Sequence, residues 1–189
     1  MKIPAGSGRA AAGLAAGHFL HAGQTARAAE LFRAAGEFAR GLYANAEALA
    51  AFQSALAAGH PDLAGIHEAC GDLDTLSGNY REAIANYQAA AAFCSPGCLS
   101  NLMHKLGEVY QRLGEWEAAE AHYQSALEAA GDGGNPAWLA HLFAGWSLTS
   151  YRRGHTPRAG SLAGQALSRA QESGDPGALA QALNMMGIL

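Results

Sequence analysis

The sequence predicts an all-α protein, a right-handed α-solenoid of antiparallel helix pairs with about ten helices. One pattern of small and aromatic residues runs from Gly71 to Ala90 and returns 36 positions later, from Gly107 to Ala126. Half of the 189 residues are apolar, and alanine, the strongest helix former, supplies much of that share. Repetition at a period of about 20–50 residues is typical of stacked units that pack only on their neighbours.

Each position of the pattern has a packing reason. Gly107 and Ala119 are expected where the two helices of a unit cross, because a larger side chain would push the helices apart. Tyr123 is expected to fill a wider gap between them. Gly78 and Gly114 are expected to end the first helix of their units in the left-handed conformation. In these features the pattern resembles the tetratricopeptide repeat, a helix-turn-helix unit of about 34 residues.

Residues 1–8 contain Pro, Gly and Ser without periodicity. They are expected to be a disordered or cloning-derived tail outside the fold. Helical patterning begins near Arg9 and continues to His21, and Gly23 interrupts it.

Residues 9–60 are expected to form degenerate repeat helices. Thr25 is the expected N-cap of a second helix that ends near Leu42. The alanine and aromatic pattern returns from Asn45, only 20 residues after the previous copy, so a whole helical hairpin does not fit. The second helix is therefore expected to serve twice, packing back on the first helix and forward on the third.

Three clearer units are expected over 61–97, 98–131 and 136–173. The period grows to 40 before the last of them, and the loop at 131–135 is expected to hold the surplus residues. Residues 176–189 match the first helix of a further unit. Three helix starts have a capping residue before proline: Asn135-Pro136, Thr156-Pro157 and Asp175-Pro176.

The last helix presents an apolar stripe of Leu179, Leu183 and Met186, whereas repeat arrays usually end in a polar cap. Two interpretations stay open. The chain could be a fragment of a longer protein, or the helix could cap the array or pair with another copy in a homodimer.

Composition argues against several classes of function. The net charge is -4, with two lysines and scattered arginines, whereas nucleic-acid binding needs clustered basic charge. No apolar run reaches the length of about 18 residues expected of a membrane span, and the N-terminus does not resemble a secretory signal. Three cysteines are too few for a secreted disulfide framework. The sequence therefore predicts a cytoplasmic segment that binds neither nucleic acid nor membrane.

Cys94 and Cys98 flank a turn, and His67, Cys70 and His104 occur nearby in the repeats. Structural zinc usually takes its ligands from Cys-x-x-Cys knuckles, and His67 and Cys70 are at offsets normally buried between helices. Two ordinary loop thiols are the favoured interpretation, with zinc and a reversible disulfide as alternatives.

Catalytic motifs are missing from the sequence: it has no His-Glu-x-x-His pair and no Gly-x-Ser-x-Gly turn. The glycines of 131–134 lack the Gly-Lys-Ser/Thr ending of a phosphate loop. Asp72 and Asp74 are expected on different sides of a helix, solvated near its end. We therefore predict no enzyme activity, no metal and no cofactor; an enzyme acting through the cysteines is the least favoured alternative.

Function is expected in the inner groove, which the first helix of each unit lines. The expected groove residues carry both charges and suit a polar, extended peptide: Glu68, Asp72, Asn101, His104, Glu108, Gln111, Arg112, His141, Leu148, Tyr151 and Arg152. Family members that clamp a chaperone's C-terminal carboxylates have a lysine and asparagines at matched offsets. The nearest residues here are His104, Lys105 and Glu108, so that clamp is not predicted.

The N-terminal stretches 17–24, 29–37 and 42–48 resemble the helical region downstream of the ATPase module in large bacterial signalling proteins. The resemblance implies a non-enzymatic scaffold within such a regulator, binding a protein or peptide partner. The alternatives are a sensor module for a small ligand or short peptide, with Tyr151, Arg152 and His141 as contacts, and a self-assembly arm.

Overall fold

A computed structural model describes residues 5–189, apart from the side chains of residues 5–12, 96 and 132. This part of the chain contains ten α-helices and no strand, which confirms the predicted class and helix number. The helices are α1 (Ala5–His21), α2 (Thr25–Gly41), α3 (Asn45–Ala57), α4 (Leu63–Ser77), α5 (Tyr80–Phe93), α6 (Pro96–Leu113), α7 (Trp116–Ala130), α8 (Pro136–Arg152), α9 (Thr156–Ser173) and α10 (Pro176–Ile188). A 3₁₀ turn, Gly131–Gly133, lies in the expected loop before α8.

Helix α1 begins at Ala5, before the start predicted near Arg9. Residues 1–4 of the predicted tail lie outside the described residues. Consecutive helices pair through short turns, and the closest pairs are α2 with α3, α4 with α5, α6 with α7, and α8 with α9.

Helix α2 packs on both α1 and α3, as predicted for a helix shared between two hairpins. On the α3 side Gly36 is buried, and a Cβ atom built there would lie 2.8 Å from the ring of Phe52. Gly36, Tyr43 and Phe52 have the same spacing as Gly71, Gly78 and Tyr87. Helices α2 and α3 therefore form a unit of the same kind as those that follow.

Two predicted N-caps are wrong. Thr25 and Thr156 are the first helical residues, and Gln24 and His155 occupy the cap positions without a side-chain cap hydrogen bond. Each helix thus begins one residue earlier than it would if the threonine were its N-cap. Side-chain caps do form at the other two predicted starts: Asn135 accepts from two backbone amides and Asp175 accepts from one.

The chain divides into two compact units, Met1–Phe93 and Cys94–Leu189. The first has a core between α3 and α4 that includes Phe52, Ile66 and Leu73. In the second, Tyr123 and Leu142 belong to a larger core that extends to α10.

Left-handed residues end helices in both units. Gly78 and Gly114 have φ values of 78° and 76°, which confirms their predicted role. Tyr43 has φ 59° at the equivalent position after α2 and is the non-glycine residue with positive φ in the described chain.

Candidate functional site

The contact between a glycine and an aromatic ring sets the distance between the helices of a unit. A Cβ atom at Gly71 would lie 2.6 Å from the ring of Tyr87, and one at Gly107 would lie 2.8 Å from the ring of Tyr123. Because no larger residue fits, each first helix lies close against its second helix. In the second unit α8 contacts both α6 and α10, so the first helices form one continuous surface.

This surface contains a cavity of about 400 Å³. Its lining combines charged, amide and aliphatic side chains. The lining residues are Glu108, Gln111, Arg112 and Trp116 from α6 and the start of α7, Ala144, Gly145, Leu148 and Arg152 from α8, and Gln181, Asn184, Met185 and Ile188 from α10.

Two arginines of the cavity lie at helix ends. Arg112 is in the last turn of α6 and Arg152 is in the last turn of α8, where the helix dipole favours a cation. Within the described residues, neither guanidinium forms a salt bridge, whereas Arg153 pairs with Glu117 at 3.0 Å. Arg112 and Arg152 can therefore pair with an anionic ligand without first breaking an internal ion pair.

Tyr123 is buried behind the lining residues and orients Gln111. Its hydroxyl donates to Gln111 Oε1 at 2.6 Å, and a Cβ atom at Gly145 would lie 2.8 Å from the same hydroxyl oxygen. Burial, reinforced by the carboxylate of Glu108, raises the pKa of Tyr123 far above its usual range. The hydroxyl thus remains a donor, which leaves the amide NH₂ of Gln111 to donate to a ligand.

A buried carboxylate joins α7 to α8 behind this surface. Glu120 accepts hydrogen bonds from Ser150 and from Arg153, and only the arginine is near the surface. Burial alone would raise the pKa of Glu120, but the bonds from Ser150 and Arg153, with the charge of Arg158, lower it overall. The carboxylate therefore remains charged and holds the α6–α7 repeat unit against the α8–α9 repeat unit. The sequence analysis missed this contact, because Glu120 precedes Ser150 by 30 residues and Arg153 by 33 residues in the chain.

Five of the predicted groove residues line the cavity: Glu108, Gln111, Arg112, Leu148 and Arg152. Four others of the second unit lie elsewhere. Asn101 borders a separate cavity with Trp138, and His141 is hydrogen-bonded to Gln181. Tyr151 is exposed and does not line the cavity, so the three contacts expected of a small-ligand sensor do not converge there.

His104, which the sequence predicts in the groove, lies in the core. It is only 7% exposed, and its ring lies beside Tyr123 and edge-on to Trp138. Burial, together with the nearby charges of His141 and Lys105, lowers the pKa of His104 to about 4. The side chain is therefore a neutral core residue at pH 7, not an open groove contact.

Glu68 and Asp72 belong to the first unit, where Asp72 accepts a hydrogen bond of 2.8 Å from the Tyr87 hydroxyl. The prediction that Asp74 is solvated is wrong: it is 3% exposed and accepts from Asn86 at 2.9 Å. Burial raises the pKa of Asp74 despite this bond. Helix α5 covers Asp74, because Asn86 lies one turn from the inward-facing Ala83 and Ala90.

The residues of α10 were missed as site residues. The repeat period of 40 residues could have identified them, because it makes Gln181 equivalent to His141 and Ile188 equivalent to Leu148. Met185 and Asn184 follow from the same register.

The three cysteines form no disulfide, and burial raises the pKa of Cys70 to about 11. The described residues contain no cluster of three or more His, Cys, Asp or Glu side chains that could hold a metal ion. None of the helices described is both long enough and apolar enough to cross a membrane.

Comparison with known proteins agrees with the repeat pattern. Residues 102–137 match the family model of the tetratricopeptide repeat. A search of curated protein sequences gives no match.

Similar solved structures include MamA, at 17% identity over 92% of this chain and 99% of that protein, with a TM-score of 0.72. BtubC (BKLC) from P. vanneervenii has 19% identity over 97% of this chain and 80% of its own, with a TM-score of 0.74. YrrB, described as a TPR protein with an unusual peptide-binding site, has 15% identity over 93% and 90% of the two chains, with a TM-score of 0.69. The chain therefore contains a tetratricopeptide repeat and has the α-solenoid fold of tetratricopeptide-repeat proteins.

Proposed function

We propose that this chain is a protein-interaction scaffold and that the cavity between α6, α8 and α10 binds an acidic, partly aliphatic peptide segment of another protein. The observation that carries the proposal is the pair Arg112 and Arg152. Both border the cavity, and neither is neutralised by a salt bridge within the described chain. A guanidinium offers a planar set of donors that matches a carboxylate.

The rest of the lining suits the remaining parts of a peptide. The side-chain amides of Gln111, Gln181 and Asn184 line the cavity and can bond to peptide N–H and C=O groups. Leu148 and Ile188 offer aliphatic surface between the polar groups. The cavity lining includes one carboxylate, Glu108, which would repel an acidic group of the peptide placed beside it. These features favour a short segment that carries one or two carboxylates and an aliphatic side chain.

The proposal includes the bacterial regulatory setting that the sequence resemblance suggests. The peptide-binding site described for YrrB supports peptide recognition by this fold. The finer assignment, a segment of a larger signalling protein, stays a prediction.

Selection from a random peptide library tests the proposed chemistry. The immobilised parent should enrich peptides that combine Asp or Glu with aliphatic residues, and Arg112→Glu with Arg152→Glu should lose that enrichment. The matched control carries Arg81→Glu with Arg169→Glu, which changes the net charge equally at exposed positions outside the cavity. Equal enrichment by both double variants, or no acidic preference in the parent, would refute the proposal.

A further inference from the structure

The three helices that line the cavity are in register with one another. Each of α6, α8 and α10 begins with a proline, and these prolines, Pro96, Pro136 and Pro176, are 40 residues apart. Side chains at equal distances from the prolines therefore form rows that run across the helices. His141 and Gln181 each lie five residues after their proline, and they are hydrogen-bonded to each other, so such a row is present in the structure.

Two of these rows border the part of the cavity between α6 and α8. Arg112 and Arg152, each 16 residues after its proline, form the first row. Glu108 and Leu148, each four residues earlier, form the second. The two rows are about 6 Å apart along the helix axes. This part of the cavity therefore has two guanidinium groups on one side, and a carboxylate and an aliphatic side chain on the other.

Helix packing sets the spacing within each row. The axes of packed helices are about 8–10 Å apart, and Tyr123 fills the space between α6 and α8, where it lies against Gly107 and Gly145. Alternate residues of an extended peptide are about 6.6 Å apart and point to the same side. A peptide that crosses the two helices can thus place one carboxylate at each guanidinium. The flexible side chains of arginine and glutamate close the remaining distance of about 1–3 Å.

We infer that the ligand of this cavity contains two acidic residues two positions apart with an aliphatic residue between them, bound in extended form across α6 and α8. The inference rests on the proposed function, because it specifies which acidic peptide the cavity selects. The two carboxylates pair with Arg112 and Arg152. The side chain between them points to the opposite row, where Leu148 favours an aliphatic group and Glu108 disfavours a third carboxylate. The motif reads the same in both chain directions, so either orientation of the peptide satisfies it.

Three isomeric peptides test the order of the residues: Ser-Glu-Leu-Glu-Ser, Ser-Leu-Glu-Glu-Ser and Ser-Glu-Glu-Leu-Ser, each with a fluorescent label at the N-terminus and an amidated C-terminus. Fluorescence anisotropy with the full chain at a fixed salt concentration measures their affinities. Because the three peptides have the same composition and charge, attraction by charge alone predicts equal binding. The peptide with alternating Glu and Leu should instead bind at least tenfold more tightly than either isomer, since adjacent acidic side chains point to opposite sides.

The single variants Arg112→Gln and Arg152→Gln test whether each guanidinium receives its own carboxylate. The comparison peptide is Ser-Glu-Leu-Ser-Ser, which keeps one acidic residue. With the parent, loss of the second Glu should weaken binding at least fivefold. With either variant the loss should be less than twofold, because the guanidinium that the second carboxylate needs is absent. Arg81→Gln, at an exposed position of α5 outside the cavity, is the matched control and should behave as the parent.

The outcomes separate this inference from the proposed function. Equal binding of the three isomers that is lost when Arg112→Glu and Arg152→Glu are combined would overturn the alternating motif and leave an acidic-peptide site in place. Tighter binding of an isomer with adjacent acidic residues, or a fivefold loss that persists in both single variants, would overturn the motif as well. If none of the isomers bound at millimolar concentration, the motif and the proposed function would both fail.

Discussion

Replacing Tyr43 with glycine should stabilise the protein. Tyr43 has φ 59° and is 90% exposed, so its side chain gains little from burial while its backbone bears the left-handed conformation. That conformation costs a non-glycine residue about 1–2 kcal/mol. Glycine removes this cost but adds about 0.5–1 kcal/mol of unfolded-chain entropy. The expected net gain is about 0.5–1 kcal/mol.

Urea unfolding followed by circular dichroism measures this gain. With an m-value of about 2 kcal/mol/M, the midpoint should rise by about 0.3–0.5 M at unchanged m. Tyr43→Ala keeps the Cβ atom and should leave the midpoint nearly unchanged.

The reciprocal control is Gly78→Ala, at the equivalent position of the next unit. Gly78 has φ 78°, and a Cβ atom there would meet nothing within 4 Å, so the change acts through the backbone alone. It should cost about 1 kcal/mol. A loss at Gly78 without a gain at Tyr43 would refute the assignment of strain to the tyrosine.

Three further changes test the packing and the buried charges by urea unfolding. Gly107→Ala should lower the free energy of unfolding by about 1–3 kcal/mol, since its Cβ atom would press on the ring of Tyr123. The control Gly164→Ala lies in open space on α9 and should raise the free energy of unfolding by up to about 1 kcal/mol. Equal effects of the two changes would contradict the close contact at Gly107. Glu120→Gln should lower the free energy of unfolding by about 2 kcal/mol at pH 7. Because the folded state lowers the pKa of Glu120, this cost should shrink as the pH falls below about 4.5, the pKa in the unfolded chain. A cost that stays constant with pH would contradict the lowered pKa. His104 is protonated near pH 6.5 in the unfolded chain but only near pH 4 in the folded chain. The free energy of unfolding should therefore fall by about 3 kcal/mol as the pH drops through this range. If His104→Leu kept the same pH profile, His104 would not be the cause of the fall.

The repeat itself was predictable from sequence because glycine and aromatic residues recur at spacings set by contact. The closeness of Gly107 to Tyr123 and the left-handed Gly78 both follow from that recurrence. The double role of α2 followed from a spacing too short for a hairpin.

Other features could not be predicted from the local pattern. A tyrosine in the left-handed region carries no local signal, so Tyr43 was not identified as the equivalent of Gly78. The burial of Asp74 and His104 depends on side chains from other helices, Asn86 and Trp138 respectively. A polar residue at a groove-like offset was therefore read as solvated when a neighbouring helix covers it.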